Sequence, residues 1–205
     1  MPPSPRGSGA AWVWMKIGLF GGTFNPVHRG HLLLAEGAMK QLGLDEVRWI
    51  PAHLPPHKSV EGKAGPEDRA RMVELAIQGQ PAFRLSRVEL DRPAPSYTID
   101  TVRLLQERDP GPGTEWFFLI GSDTARELPA WREIEELMKR VRFVAVPRPG
   151  KERAAGLPAG VQEIPVQTVP VSSSDVRRLI REGRPAGESV PEPVLRYIQE
   201  KGLYR

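Results

Sequence analysis

Two histidines, His28 and His31, stand three residues apart and follow the adjacent glycines Gly21 and Gly22 in the segment GGTFNPVHRGH. Side chains three residues apart on a helix lie on the same face, so both imidazoles can meet the same group of atoms. Adjacent glycines let the backbone approach a ligand closely and direct its N–H groups outward. This combination predicts a site that binds a polyphosphate and places two imidazoles near one phosphorus atom.

Other interpretations of this segment stay open. A Gly-Gly pair often marks only a turn, and two histidines can be unrelated surface residues. A His-x-x-His pair can also bind a metal ion, but no cysteine and no local group of carboxylates accompanies it here. The segment lacks both the Gly-Lys-Ser/Thr of a P-loop and the G-x-G-x-x-G of dinucleotide-binding proteins, which disfavours a nicotinamide-dependent dehydrogenase.

A second group of candidate phosphate ligands comes late in the chain, at Ser173, Ser174 and Arg177. The two serines begin a predicted helix, where their hydroxyls and backbone N–H groups can bind β- and γ-phosphates. Arg177 lies one helical turn further on, so its planar guanidinium can reach the same oxygens. The alternative is ordinary helix capping beside a surface arginine.

Strands and helices alternate along the chain and must position these residues. Strands are predicted at Lys16–Phe20, Glu46–Ile50, Phe83–Leu90, Glu115–Ile120, Arg142–Val146 and Val161–Pro165. Helices are predicted at Gly30–Leu42, Pro66–Ile77, Ser96–Glu107, Trp131–Lys139, Ser173–Glu182 and Pro191–Lys201. This alternation predicts an α/β fold with a parallel sheet and helices on both faces. Ligands bind such sheets at the carboxyl ends of the strands, where the Gly-Gly turn is placed.

Composition restricts the class of protein. The chain has 205 residues, 40% of them hydrophobic, which favours one domain over residues 15–205 with a helical C-terminal part from about residue 171. Residues 1–14, rich in Pro, Gly and Ser, are interpreted as a disordered extension. The absence of cysteine excludes disulfides and thiolate metal sites.

Charge and hydropathy bear on compartment and partners. No apolar run is long enough to span a membrane, so a cytoplasmic protein without a membrane partner is expected. The net charge of +4 suits an anionic ligand. No RNA-binding motif of aromatic and basic residues accompanies it, so no nucleic-acid partner is predicted. The sequence leaves open whether the chain forms a homo-oligomer.

The segment GGTFNPVHRGH resembles the (H/T)xGH signature of the nucleotidyltransferases. Four further segments, in order, make residues 15–205 similar to the bacterial nicotinate-nucleotide adenylyltransferases: PPHK, SYTIDT, IGSD followed by Trp131, and VSSSDVRR. Two positions depart from the family pattern, since Asn25 stands where Asp is frequent and Ser174 where Thr is usual. The resemblance implies a Rossmann-like fold and transfer of the adenylyl group of ATP to nicotinate mononucleotide, with release of pyrophosphate.

Together the residues and the resemblance predict two substrate sites. Residues expected to bind ATP are Gly21, Gly22, Thr23, Phe24, His28, His31, Gly121, Asp123, Ser173, Ser174 and Arg177. Residues expected to bind the mononucleotide are His57, Lys58, Tyr97, Thr98 and Trp131. The expected catalytic residues are His31, His28 and Arg177.

Specific contacts follow for the ATP site. His31 is expected to contact the α-phosphate, with His28 nearer the β/γ end of the triphosphate or bracing His31. Asp123 follows a buried strand and can contact ribose or adenosine, or it can simply cap a helix.

The mononucleotide site rests on a loop, a helix start and an aromatic ring. The resemblance makes Lys58 a ligand of the mononucleotide phosphate. Backbone N–H groups at the start of the helix over residues 96–101 can bind the pyridine carboxylate. Trp131 is placed to stack on the pyridine ring, although Tyr97 and Trp131 could equally belong to the core.

The implied reaction needs no nucleophile from the protein, because the phosphate of the mononucleotide attacks the α-phosphorus directly. Mg²⁺ is expected to arrive with ATP and to be held by phosphates and water, so no protein metal ligand is predicted. Competing hypotheses are another acceptor, either nicotinamide mononucleotide or phosphopantetheine, and a non-catalytic nucleotide-binding regulator.

Overall fold

The computed structural model describes residues 15–53, 64–109, 111, 113–147, 156–167 and 169–205. Its strands are β1 (Lys16–Gly22), β2 (Glu46–Pro51), β3 (Phe83–Leu85), β4 (Glu115–Gly121), β5 (Arg142–Val146) and β6 (Val161–Glu163). They form one six-stranded sheet in the order β3-β2-β1-β4-β5-β6, and every neighbouring pair is parallel. The strand order reverses between β1 and β4, which is the switch point of a doubly wound sheet.

Helices cover both faces of this sheet. The helices are α1 (Arg29–Leu42), α2 (Pro66–Ile77), α3 (Thr98–Arg108), α4 (Ser122–Ala125), α5 (Ile134–Arg140), α6 (Ser173–Arg181) and α7 (Glu192–Lys201), with a short 3₁₀ turn at Leu128–Ala130. Buried residues of α1, α2, α6 and α7 form one core with the sheet, and those of α3, α4 and α5 form the other. The predicted α/β architecture with helices on both faces is therefore confirmed.

The apolar sequence of β4, EWFFLIG, explains why this strand lies at the centre. Phe117 and Leu119 enter the core beneath α1, whereas Phe118 and Ile120 enter the core beneath α3 and α5. A strand that is buried on both faces must be apolar at nearly every position, because successive side chains point to opposite faces. The same pattern predicts β5.

The sheet opens at its switch point. Strand β1 remains paired with β2 as far as Gly22↔Pro51, and β4 remains paired with β5 as far as Gly121↔Val146. In contrast, the pairing of β1 with β4 ends at Leu19↔Phe118, before either strand ends. The carboxyl ends of the two central strands therefore separate and leave a crevice between the loops that follow them.

The predicted strand Phe83–Leu90 is too long. Strand β3 ends at Leu85, after which the Ser86 amide donates to the Trp49 carbonyl at 2.8 Å. The chain then turns, with the Asp91 amide bonded to the Arg87 carbonyl at 3.0 Å. The pairing of β3 with β2 ends at Trp49↔Leu85, and the apolar residues after Leu85 form a turn instead of continuing the strand.

The predicted helix Trp131–Lys139 begins too early. Helix α5 starts at Ile134 because Glu133, its N-cap, has a left-handed backbone with φ +52° that a right-handed helix cannot contain. Trp131 lies outside the helix, on extended backbone that follows the 3₁₀ turn. Likewise α3 begins at Thr98 rather than at Ser96.

Within the described ranges, no helix combines the length and the apolar character that crossing a bilayer would require.

Candidate active site

Residues 21–31, here called the signature loop, connect β1 to α1 at the switch point. Phe24 lies in this loop with φ +48° and is 2% exposed, and its ring contacts Phe20, Trp49 and His31 at centroid distances of 5.4, 5.4 and 5.1 Å. A Cβ on Gly22 would lie 2.9 Å from the ring of Phe24, so this position needs glycine. Because the ring of Phe24 is packed in the core, its predicted contact with ATP is limited to its backbone.

The two histidine rings lie against each other. Their centroids are 3.6 Å apart and their planes differ by 26°. The backbone N–H of His28 donates to Nδ1 of His31 at 3.2 Å, so the neutral imidazole of His31 carries its proton on Nε2. A Cβ on Gly30 would lie 3.0 Å from Nδ1 of His28 and 3.0 Å from Val171, so a larger residue here would have to displace one of these side chains.

Helix α1 starts directly at these histidines, with His28 as its N-cap. Its first turn contains no acidic side chain. The partial positive charge of the helix N-terminus is therefore not offset by a carboxylate in that turn, and it favours an anion beside the histidines.

The N-terminus of α6 is fixed to the signature loop by side chains. The hydroxyl of Ser173 donates to the Pro26 carbonyl at 2.8 Å. Arg177 donates to the Asn25 carbonyl at 2.9 Å and to the hydroxyl of Ser174 at 3.2 Å. The structure thus brings the predicted residues Ser173, Ser174 and Arg177 to the same loop as the two histidines. Two helix N-termini meet there.

Across the crevice, Gly121 ends β4 and is the N-cap of the four-residue helix α4. Asp123 lies in the first turn of α4. Since β4 is the neighbour of β1, both residues lie at the edge of the sheet that carries the signature loop.

The predicted pyridine-binding residues meet in a separate group. Tyr97 is the N-cap of α3, and Thr98 begins that helix. The guanidinium carbon of Arg132 lies 4.8 Å from the ring centroid of Tyr97. The half-buried ring of Trp131 stands edge-on to Phe118 and Phe143, at centroid distances of 6.0 and 6.1 Å. The α3 start and the segment before α5 are therefore adjacent. The predicted ligands His57 and Lys58 lie outside the described residues.

Sequence reasoning missed two buried residues that hold the site. Arg69, on α2, donates to the carbonyls of Thr23, Ala52 and His53. The hydroxyl of Tyr204, near the chain end, donates to Oδ1 of Asn25 at 2.6 Å, and burial raises the pKa of Tyr204. One signal for Arg69 exists, because it lies three and four residues before the buried Met72 and Val73 on α2 and so shares their face.

The described residues contain no group of three or more His, Asp or Glu side chains placed to hold a metal ion.

The fold and the site together define a nucleotide-binding α/β protein of the nucleotidyltransferase class. A family model described as cytidylyltransferase-like matches residues 19–179. The chain is 44% identical over 199 residues to a probable nicotinate-nucleotide adenylyltransferase of Gloeobacter violaceus, covering 92% of this chain and 96% of that protein. It is 41% identical over 189 residues to the nicotinate-nucleotide adenylyltransferase of Bacillus subtilis, covering 92% and 98%. The chain belongs to the nicotinate-nucleotide adenylyltransferase family.

Solved structures support the fold. The nicotinic acid mononucleotide adenylyltransferase of Plasmodium falciparum, complexed with NaAD, aligns with a TM-score of 0.76 at 18% sequence identity over 93% of this chain and 97% of that one. A nicotinate-nucleotide adenylyltransferase structure from Vibrio parahaemolyticus aligns with a TM-score of 0.66 at 23% identity. The resemblance inferred from the sequence motifs is confirmed.

Proposed function

We propose that this protein transfers the adenylyl group of ATP to nicotinate mononucleotide, giving nicotinate adenine dinucleotide and pyrophosphate in NAD biosynthesis. The observation that carries the proposal is the stacked pair His28 and His31 beside the crevice between β1 and β4, with the N-termini of α1 and α6 next to it. Relatives that share more than 40% of their residues with this chain are named for this activity.

The triphosphate of ATP fits the positively polarised side of the crevice. Backbone N–H groups of the signature loop and of the two helix starts supply donors to phosphate oxygens. His31 is assigned to the α-phosphate and His28 to the β/γ end. Ser173, Ser174 and Arg177 are assigned to the β- and γ-phosphates, and the bond from Arg177 to Asn25 supports this placement because it holds α6 against the loop.

The chemistry is a direct displacement at phosphorus. A phosphate oxygen of the mononucleotide forms a bond to the α-phosphorus, and the bond from that phosphorus to the bridging oxygen of pyrophosphate breaks. The Nε2–H of His31 donates to a non-bridging α-phosphate oxygen and stabilises its charge as the bonds change. Holding both reactants in line is worth roughly 7–11 kcal/mol of the barrier.

The acceptor is assigned to the aromatic group on the other side of the crevice. The N-terminus of α3 offers N–H donors and a positive dipole end to the pyridine carboxylate, which gains more from them than a carboxamide does. Tyr97 and Thr98 form that helix start, and Trp131 is assigned to stack on the pyridine ring. Lys58, with His57, is assigned to the mononucleotide phosphate.

Mg²⁺ is assigned to the triphosphate itself, because Mg²⁺ is usually held by substrate phosphates and water rather than by an all-protein set of ligands. When bound, it would neutralise phosphate charge. The protein residues would still have to orient the two anionic substrates.

One panel assay tests the proposal. Purified protein is supplied with Mg-ATP and, separately, with nicotinate mononucleotide, nicotinamide mononucleotide or phosphopantetheine, and both pyrophosphate and the coupled product are measured. We expect turnover with nicotinate mononucleotide, less with the amide and none with phosphopantetheine. Inactivity on both pyridine substrates would contradict the proposal. Turnover of phosphopantetheine would favour the alternative acceptor, and nucleotide binding without any turnover would favour a regulator.

A further inference from the structure

Arg69 is buried between two loops that leave neighbouring strands. It projects from α2, is 1% exposed, and donates to the Thr23 carbonyl at 2.8 Å in the signature loop. It also donates to the carbonyls of Ala52 at 2.6 Å and His53 at 2.8 Å, which directly follow β2. One guanidinium therefore fixes the separation of the two loops at the carboxyl ends of β1 and β2.

The charge of Arg69 has no acidic counterpart in the described part of the chain. No carboxylate of those residues lies within ion-pair distance of it, and carbonyl oxygens satisfy its N–H groups without cancelling its charge. Its neighbour Asp68 is engaged elsewhere, because it accepts from the Tyr197 hydroxyl at 2.8 Å and from the Gly65 amide at 3.1 Å. Burial lowers the pKa of Arg69, yet a guanidinium remains charged at neutral pH.

A buried and unbalanced charge is costly to keep. Apolar residues of similar volume could fill the space, but they could not donate to three carbonyls at once. Anionic substrates that bind next to the signature loop would offset this cost, because that loop is the segment assigned to the triphosphate. The phosphates of bound substrate would then balance a cation that no carboxylate of the described residues balances.

We propose that Arg69 is a positioning residue for adenylyl transfer. It sets the distance between the signature loop and the start of the loop after β2, and it supplies a buried positive charge that the bound substrates balance. This inference rests on the proposed function, since it concerns the geometry in which the two substrates react.

Two substitutions separate the geometry of Arg69 from its charge. Arg69→Lys keeps the charge but loses the planar fork, and Arg69→Met loses both. Misplacement of reactants by about 1 Å can reduce a rate about 10²-fold, so we expect a kcat loss of that order in both variants. The KM for ATP should change little in Arg69→Lys and rise in Arg69→Met. The matched control is Arg71→Met on the same helix, where Arg71 is exposed and paired with Glu74, and its kinetics should equal those of the wild type.

The turnover of each variant is divided by its folded fraction, which is obtained from the amplitude of its thermal unfolding transition. A kcat in Arg69→Lys equal to that of the wild type would overturn the inference, as would a loss that merely follows the unfolded fraction. If wild-type protein turns over no pyridine mononucleotide, the proposed function fails instead. The two failures are thus distinct.

A measurement on wild-type protein covers the case in which the variants do not fold. Isotope-labelled arginine gives guanidinium signals, and that of Arg69 should be protected from solvent exchange. We expect it to shift when a non-hydrolysable ATP analogue binds, because the charge above it changes. A signal that stays unchanged at saturating analogue would refute the electrostatic part and leave Arg69 a structural residue only.

Discussion

The signature loop and the proposed pyridine-binding group, which consists of Tyr97, Thr98 and Trp131, are held in the fold in different ways. Side chains from distant elements donate to successive backbone carbonyls of the loop: Arg69 to Thr23, Arg177 to Asn25 and Ser173 to Pro26. Hydrogen bonds to charged donors contribute more than neutral ones, and they are directional. The loop that carries the two histidines is therefore fixed at three of its backbone carbonyls, those of Thr23, Asn25 and Pro26.

In the pyridine-binding group, α3 and the segment before α5 are joined by contacts between side chains: Arg103 of α3 pairs with Glu133, the N-cap of α5, at 2.6 Å, and the other contacts involve aromatic rings. Trp131 meets two phenylalanine rings edge-on, and Tyr97 lies beneath the exposed guanidinium of Arg132. Contacts of these kinds are worth about 0.5–1.5 kcal/mol each and tolerate small rotations. The buried hydroxyl of Ser96, next to Tyr97, has no hydrogen-bond partner in the described part of the molecule.

This difference matches the demands of the two tasks. Under the proposed function, displacement at phosphorus requires atoms to be placed within fractions of an ångström, so the loop assigned to the triphosphate must be fixed from several sides. Recognition of a flat ring needs a surface of suitable shape and charge, which adjustable aromatic side chains can provide. We expect substitutions in the loop to reduce kcat and substitutions in the pyridine-binding group to reduce acceptor affinity.

The largest effect should come from the loop. His31→Ala removes the Nε2–H donor to the α-phosphate, and we expect kcat to fall about 10³-fold, as when a donor to a developing oxyanion is removed. The fold should persist, and an unchanged far-ultraviolet circular dichroism spectrum would show this. A rate close to that of the wild type would exclude His31 from the mechanism and end the contrast between the two regions.

We expect a smaller effect, confined to the KM for the acceptor, from a substitution in the pyridine-binding group. Trp131→Ala removes the surface assigned to the pyridine ring, and stacking of a base on an aromatic side chain is worth about 1–3 kcal/mol. We expect the KM for nicotinate mononucleotide to rise roughly tenfold while the KM for ATP stays constant, with Trp131→Phe as the conservative control. If both Michaelis constants rise together, the two regions do not act separately.

We expect the smallest effect, a pH-dependent loss of folding free energy, from two tyrosines near the chain end, Tyr197 and Tyr204. Burial, together with the hydrogen bond to the Asp68 carboxylate and its charge, raises the pKa of Tyr197 to about 12, and burial also raises the pKa of Tyr204. Both tyrosines ionise more readily in the unfolded chain, whose tyrosine pKa is about 10. Their contribution to stability is therefore complete below pH about 10 and is lost as the pH rises toward about 12.

Urea unfolding at a series of alkaline pH values measures this loss. Tyr197→Phe should lower the free energy of unfolding by about 1 kcal/mol at neutral pH and should flatten its decline above pH about 10. Turnover should be nearly unchanged, because Tyr197 contacts α2 and not the signature loop. If the free energy of unfolding of the variant falls with pH above about 10 as steeply as that of the wild type, Tyr197 is not the group that titrates.

Much of the fold was predictable because the central strands are buried on both faces. Such strands must be apolar throughout, so EWFFLI and RFVAV identify β4 and β5 almost to the residue. The errors fall where pairing or backbone conformation decides. Strand β3 ends at Leu85, where its pairing with β2 ends. Helix α5 starts later than predicted because the backbone of Glu133 has a left-handed conformation.

In the candidate site too, contacts between residues close in the sequence could be predicted, and contacts between distant residues could not. The spacing of His28 and His31 within one helix start is local, so it predicts that the rings meet, and they stack at 3.6 Å. Arg69 could be suspected from its position on the apolar face of α2, but its acceptors could not. They are carbonyls of loops 46, 17 and 16 residues away.

The sequence by itself determined most elements of the fold and singled out the segment proposed to bind phosphate, because both depend on spacings within a few residues. Only the tertiary structure decided what fixes that segment. The bond from Tyr204 to Asn25 joins residues 179 positions apart, and that from Arg177 to the same residue spans 152. Such contacts exist only after α2, α6 and the chain end have packed into one core against the same face of the sheet, and no local pattern encodes that packing.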